Sequence, residues 1–453
     1  MNDALAVHAR IEHVYRMYVE SAFPLRYETL STERRELLTR PGVLAQPPLI
    51  EPVPVYESSG HDLAAATDRL PPVYRDLTTL AAPLFPDNRP LYQHQWRALE
   101  AATAGRDVVI TTGTGSGKTE AFLLHLFAAL AAESASWAPP KAPAANRAWW
   151  RRGSVWQPQW AHDTRPHALR AVILYPLNAL VEDQMRRLRS VLDDDAVVAW
   201  LDRDRSGNRI TFGRYTGLTP LAGPITTERT KRLKTYLQKL EREAGAARAE
   251  LRHRGDGSEY YFPWLEGGEL WSRWDAHATP PDVLITNYSM LNIMLMRALE
   301  QGMFEQTRAW LASDPDHVFH LVVDELHSYR GTPGTEVSYI LKLLLDRLGL
   351  AHDSPQLRIL ATSASLDATD TQFLSEFFGR DPASFTVIDA PQRPPMRSAD
   401  LRAHRDAFVA FADAHPSDSV SLLLGLHKRE AHLGQAGPGD LVGRVLEDQG
   451  DVH

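Results

Sequence analysis

Short apolar runs recur along the middle of the chain, each opening into small or polar residues: Val108 to Ile110, Ala171 to Tyr175, Val283 to Thr286, Phe319 to Asp324 and Ile359 to Ala361. Longer helical or polar stretches separate them. Parallel strands need long crossovers and are covered on both faces, so this alternation predicts an α/β fold with a mostly parallel sheet and flanking helices. In such sheets ligands bind beyond the carboxyl ends of the strands, and the loops after these runs are where function is expected. The first 90 residues lack strand alternation. Val7, Ile11, Val14 and Tyr18 repeat at helical spacing and predict one amphipathic helix. Five prolines between Pro41 and Pro54 block helix and predict an extended strap, with Leu44, Leu49, Ile50 and Val53 laid on an apolar surface. The pattern divides the chain into an N-terminal extension over 1–90, a lobe over 91–395 and a helical tail over 396–453.

Two segments read as insertions in the lobe, at about 134–167 and 226–270. The first holds Trp137, Trp149, Trp150, Trp156 and Trp160, five of the 11 tryptophans, among Lys141, Arg147, Arg151 and Arg152. Either the indoles pack the insertion onto the domain, or the aromatic and basic mixture stacks and neutralises single-stranded nucleic acid. The second insertion predicts a helix with Leu233, Leu237 and Leu240 on one face and Arg229, Lys231, Arg232, Lys234 and Lys239 around it, solvated by default.

Composition narrows the classes. At 453 residues, 43% hydrophobic and 23% charged, the chain can fill more than one core. Its longest nearly apolar stretch, Ala121 to Ala132, is far below the ~20 residues that cross a bilayer. Asp3, His8, Arg10, Glu12 and His13 interrupt any signal-peptide core. With no cysteine, disulfides, thiolate zinc and cysteine nucleophiles are excluded, and a cytoplasmic location is expected. A net charge of −8 leaves nucleic-acid contact to a local basic surface.

Two motifs carry chemistry. Thr112-Gly113-Thr114-Gly115-Ser116-Gly117-Lys118-Thr119 follows the strand ending at Ile110 and opens a helix. Glycines let backbone amides turn around phosphate, and the helix amino terminus adds partial positive charge. Lys118 would reach the β and γ phosphates of ATP and Thr119 a Mg2+ ion. The strict pattern has glycine at position 112; threonine stands there, and Gly113, Gly115 and Gly117 still supply the turn. The second motif, Asp324-Glu325-Leu326-His327, ends an apolar run. One carboxylate, Asp324, would anchor hydrated Mg2+ with Thr119, and Glu325 would orient or deprotonate water. His427 and His432 sit five apart, on different helix faces, and make a poor metal pair.

The order of these elements resembles the first RecA-like lobe of a superfamily 2 DExH-box helicase. Gln95, 23 residues before Lys118, is similar to the adenine-reading glutamine of that family. Tyr175-Pro176-Leu177-Asn178-Ala179-Leu180 and Thr286-Asn287-Tyr288-Ser289-Met290-Leu291 resemble motifs Ia and Ib, and Gly213-Arg214-Tyr215-Thr216-Gly217 lies between them. The resemblance implies nucleic-acid contact at Pro176, Asn178, Thr216, Gly217, Thr286 and Asn287. Thr362-Ser363-Ala364-Ser365 resembles motif III, so Ser363, Ala364 and Ser365 would couple the nucleotide site to strand movement, together with His327. Finer pieces, among them Trp149-Trp150-Arg151-Arg152 and His327-Ser328-Tyr329-Arg330-Gly331-Thr332, resemble the long bacterial Lhr and MrfA types, often found with phage-defence genes. No Gln-x-x-Gly-Arg-x-x-Arg run follows Ser365, so motifs IV to VI are missing and a single lobe is expected. The implied function is ATP hydrolysis coupled to nucleic acid, DNA before RNA, with a second RecA lobe or downstream polypeptide as partner. The alternative is a non-catalytic nucleotide- or nucleic-acid-binding module that needs such a lobe. A P-loop kinase would leave the DExH and motif III series unexplained.

Overall fold

A computed structural model of the chain describes residues 4–40, 42–45, 56–113, 115–141, 148–176, 178–255, 257–364, 366 and 371–390. Thr114, Ser365, Arg147, most of the proline-rich strap, the tail over 396–453 and the His427/His432 pair lie outside the described residues. One compact unit spans Glu57–Pro391. The helices Ala4–Ala22 and Glu28–Leu38 belong to another, where Arg35 pairs with Glu20 at 3.0 Å. The predicted helix is present, and its Val7, Ile11, Val14 and Tyr18 are exposed. No described helix is long and apolar enough to cross a membrane.

The larger unit is built on seven strands: β1 (Asp107–Thr111), β2 (Ala171–Tyr175), β3 (Phe212–Tyr215), β4 (Val283–Asn287), β5 (Phe319–Val323), β6 (Leu357–Ser363) and β7 (Phe385–Asp389). All described pairs are parallel, in the order β3-β4-β2-β5-β6-β1-β7. The five runs expected as strands are β1, β2, β4, β5 and β6. The two that pattern reading left out are the sheet edges. There β3 carries Gly213 and Arg214 and β7 carries Thr386 and Asp389, so neither reads as an apolar run.

Alternation along the strands feeds two cores, one on each face. Val108, Ile110, Ala171, Ile173 and Tyr175 enter the first with the helix Lys118–Ser134, and Val109, Val172, Leu174, Leu321 and Val323 enter the second with the helix Thr332–Leu348. Leu63, Leu70, Leu77, Leu80 and Phe85 join the first core, so the unit begins at Glu57 and not at the expected residue 91. The two predicted insertions pack on each other. Trp149 and Trp150 meet Leu233 and Leu237 of the helix Thr227–Leu251, with Trp271 and Trp274, in a third apolar cluster. Trp150 stands edge-on to Trp271 at 4.5 Å, and Trp156 to Trp274 at 5.8 Å. These indoles are core, not a stacking platform, and Arg151 is spent on Glu241 at 2.5 Å.

Candidate nucleotide and nucleic-acid site

Strand order explains how distant motifs meet. β6 lies between β5 and β1, with Ile110 opposite Thr362, Thr111 opposite Ser363 and Val323 opposite Ala361. The phosphate-type loop, the acidic pair and the Thr362–Ala364 turn therefore leave the same edge as neighbours.

The loop after β1 turns through Gly115 and Gly117, at φ +77° and +76°, where a side chain is strained. At Gly117 space is short as well: an added Cβ would stand 2.4 Å from Nε2 of Gln95. Thr112 and Ser116 are buried and hydrogen-bonded to each other through their hydroxyls. Lys118 opens the helix; its buried Nζ donates to the Thr112 carbonyl at 3.1 Å and lies 3.9 Å from Oε1 of Glu325. Thr119 Oγ1 accepts from Nε2 of Gln184 at 3.5 Å.

Gln95 is buried and both ends of its amide are committed. Oε1 accepts from the Tyr92 N–H at 3.0 Å, closing a capping box, and Nε2 donates to the Gly117 carbonyl at 3.1 Å. The structure thus places the expected adenine reader on the loop backbone. His94, which pattern reading passed over, does the same work one residue earlier, with Nε2 2.8 Å from the Ser116 carbonyl. Its adjacency to Gln95 at the start of a helix facing the loop was the available signal.

Asp324 is buried, and its carboxyl is raised above the ordinary range, first by burial and then by the neighbouring Glu325 charge, against the hydrogen bond from Thr362. Thr362 Oγ1 donates to Asp324 Oδ1 and accepts the Glu325 N–H at 3.2 Å. Thr362 is a second residue that motif reading named without a role. Glu325 adopts φ +52°, a strained left-handed geometry that aims its carboxylate back between Lys118 and His327. Nδ1 of His327 lies 3.3 Å from Oε2 of Glu325, and the Ala364 N–H donates to the same nitrogen at 3.4 Å. Ser363 is buried, its Oγ accepting from the Leu366 N–H at 3.2 Å.

These residues fit a magnesium nucleotide. The glycine turn exposes backbone amides at a helix amino terminus, one lysine faces the loop, and a buried carboxylate and a threonine hydroxyl are the oxygen ligands that hydrated Mg2+ accepts.

The nucleic-acid candidates separate into two groups. Asn178 and Gly217 are exposed, Pro176 and Asn287 partly so, at the carboxyl ends of β2, β3 and β4. Nδ2 of Asn287 donates to Oδ1 of Asn178 at 2.7 Å, and Asn287 Oδ1 caps the next helix through the Met290 N–H at 2.8 Å. Thr216 and Thr286 are buried instead. Thr286 Oγ1 donates to the Tyr215 carbonyl at 2.7 Å, and the Thr216 carbonyl accepts from Arg273 at 2.7 Å. The Thr286 hydroxyl thus ties β4 to β3, and the Thr216 hydroxyl accepts the Leu218 N–H at 3.2 Å within the turn after β3.

Residues 92–217 match the family model described as DEAD/DEAH box helicase. Druantia protein DruE of Escherichia coli (strain UMEA 4076-1) is 32% identical, over 90% of this chain and 23% of its own length. An uncharacterized ATP-dependent helicase of Methanocaldococcus jannaschii is 24% identical, over 68% of this chain and 30% of its own length. Among solved structures, Mycobacterium smegmatis helicase Lhr bound to ssDNA and AMP-PNP aligns with 78% of this chain and 34% of that chain, at 20% identity and TM-score 0.42. The chain spans between a fifth and a third of the length of the curated relatives it matches.

Proposed function

We propose that this chain, which carries a superfamily 2 DEAD/DEAH-box helicase domain, binds and hydrolyses ATP and couples that turnover to a nucleic-acid strand, DNA before RNA. The observation that supports this best is a run of contacts: Lys118 to Glu325 at 3.9 Å, Glu325 to His327 at 3.3 Å and His327 to the Ala364 N–H at 3.4 Å. It joins the phosphate-binding loop to the turn after β6 through the residue placed to handle water.

In this reading the loop amides from Gly113 to Lys118, with the Lys118 ammonium, bind the phosphates. Asp324 and Thr119 hold Mg2+, which when bound neutralises phosphate charge. Glu325 orients water and takes its proton. The His327 imidazole holds either Glu325 or the Ala364 amide through one nitrogen: protonated at Nδ1 it donates to the carboxylate, and unprotonated there it accepts the amide. Proton gain at Glu325 would thereby be felt at Ala364. Asn178 and Asn287, linked to each other, would present neutral donors to a phosphate backbone. A cytoplasmic role in phage defence or DNA repair goes with this proposal, and the span of the relatives favours a second RecA lobe as partner.

The test pairs two variants. Lys118→Ala should lose Mg-ATP binding by calorimetry, while Glu325→Gln should keep it and lose turnover with and without single-stranded DNA. Wild-type affinity in Lys118→Ala would refute the loop assignment. A second reading, a lobe that holds nucleotide without turning it over and needs a partner lobe, is favoured by the chain's covering only 23% and 30% of its curated relatives. It predicts no hydrolysis for Glu325→Gln to remove.

A further inference from the structure

The nucleotide loop uses the carboxyl ends of the strands. At their amino ends lies a separate cavity of about 460 Å³, within the size range of small-molecule sites. Tyr74, Ala129, Leu130 and Val318 give it apolar wall, and its polar lining includes His125, His320, Arg358 and the paired Arg170 and Glu133. His125 is buried and neither ring nitrogen has a hydrogen-bond partner; its ring lies 5.2 Å from that of His320. Burial holds both imidazoles below their ordinary range, so both are neutral.

Charge around the cavity is uneven. Arg165 and Arg170 are met by Asp282, Glu133 and Asp163, two cations against three carboxylates. Arg358 and Arg380 share the single carboxylate of Asp107, at 3.9 and 3.2 Å, and Arg380 takes the closer place. One carboxylate between two guanidiniums leaves a positive charge on the cavity side, at Arg358. Asp314 and Asp316 also line the cavity and are exposed, where solvent screens them; the Asp314 carboxylate is occupied by the Asp316 N–H at 2.9 Å.

We infer that this cavity is a second ligand site, independent of the nucleotide loop, for a small organic monoanion whose carboxylate or phosphate meets Arg358 and whose apolar body lies against Ala129, Leu130 and Val318. A neutral pair of histidines beside a surplus cation favours one negative charge over two. The apolar wall excludes a bare, fully hydrated anion as the preferred occupant.

The experiment follows the ring signals of His125 and His320 by NMR in the full 453-residue chain labelled with 15N-histidine, titrated with benzoate and, separately, with inorganic phosphate. His125→Gln assigns the first signal. Benzoate should move both signals saturably, and Arg358→Gln should weaken it about tenfold, the loss of one charge-assisted contact. Ala129→Phe, which fills the cavity and leaves Arg358 in place, should abolish the response while binding of a fluorescent ATP analogue stays at the wild-type level. Absence of a saturable shift, or shifts that persist in both variants, overturns the site. Phosphate binding as tightly as benzoate overturns the apolar half of the assignment.

Discussion

At the scale of single residues, Gln95, Thr362 and Ser363 are committed to hydrogen bonds within the site. Gln95 bonds only to backbone, so its removal should disturb the loop itself. Gln95→Ala is expected to weaken ATP and GTP to a similar degree, by roughly tenfold for the loss of two neutral hydrogen bonds. Competition binding with both nucleotides checks this, and a loss confined to ATP would return Gln95 to base reading. Asp324 and Glu325 were legible as charged residues at the end of an apolar run, and Lys118 as the lysine that closes a glycine-rich loop and opens a helix. Thr362 and His94 were not legible. Their importance comes from register and from the approach of a helix to a loop, which a linear pattern does not record. Thr216 and Thr286 show the reverse. The motifs that contain them were readable, but the Thr286 hydroxyl is turned by the neighbouring strand and the Thr216 hydroxyl by the Leu218 N–H of its own turn.

At the scale of elements, the helix Asn178–Leu192 carries Asn178 at one end and leads at the other into Asp193, buried beneath Gly267 and Gly268. A Cβ at Gly267 would stand 2.2 Å from Asp193 Oδ1, so the chain passes directly over the carboxyl. Burial, more than the nearby Glu269 charge, pushes Asp193 up to about 7 from the usual 3.8. A carboxyl raised on folding contributes stability that is complete below its unfolded value and is lost as pH rises through the folded one. Stability from this element should therefore decline from about pH 4 to pH 7, and Asp193→Asn should flatten that part of the profile. Thermal melts across the range measure it; an unchanged slope in Asp193→Asn would show that another group titrates. The five core strands were legible because both their faces are covered, and the edge strands β3 and β7 were not, because Gly213 and Arg214 interrupt the one and Thr386 and Asp389 the other.

At the scale of the whole molecule, the described residues form one parallel sheet with its chemistry at one end. Transition-state charge on a γ-phosphate calls for an arginine finger, worth roughly 10³ to 10⁵ in rate where it acts. The resemblance places that residue in a second lobe, so residues 1–453 are expected to bind ATP, to turn it over slowly and to gain orders of magnitude when a second lobe is supplied in trans. Steady-state ATPase with and without that lobe checks this, and robust DNA-stimulated turnover by the chain alone would refute it. The expected start of the lobe at residue 91 missed its core by some thirty residues, since Leu63, Leu77 and Leu80 sit on helices too short to show a period. The tryptophan cluster has an optical consequence. Trp149, Trp150, Trp156, Trp271 and Trp274, five of 11 indoles, are held edge-to-face or in one apolar cluster. Transitions of rings held at fixed angles couple, so this patch is expected to contribute strongly to the near-ultraviolet circular dichroism of the protein, and loss of that signal on heating reports when the patch comes apart.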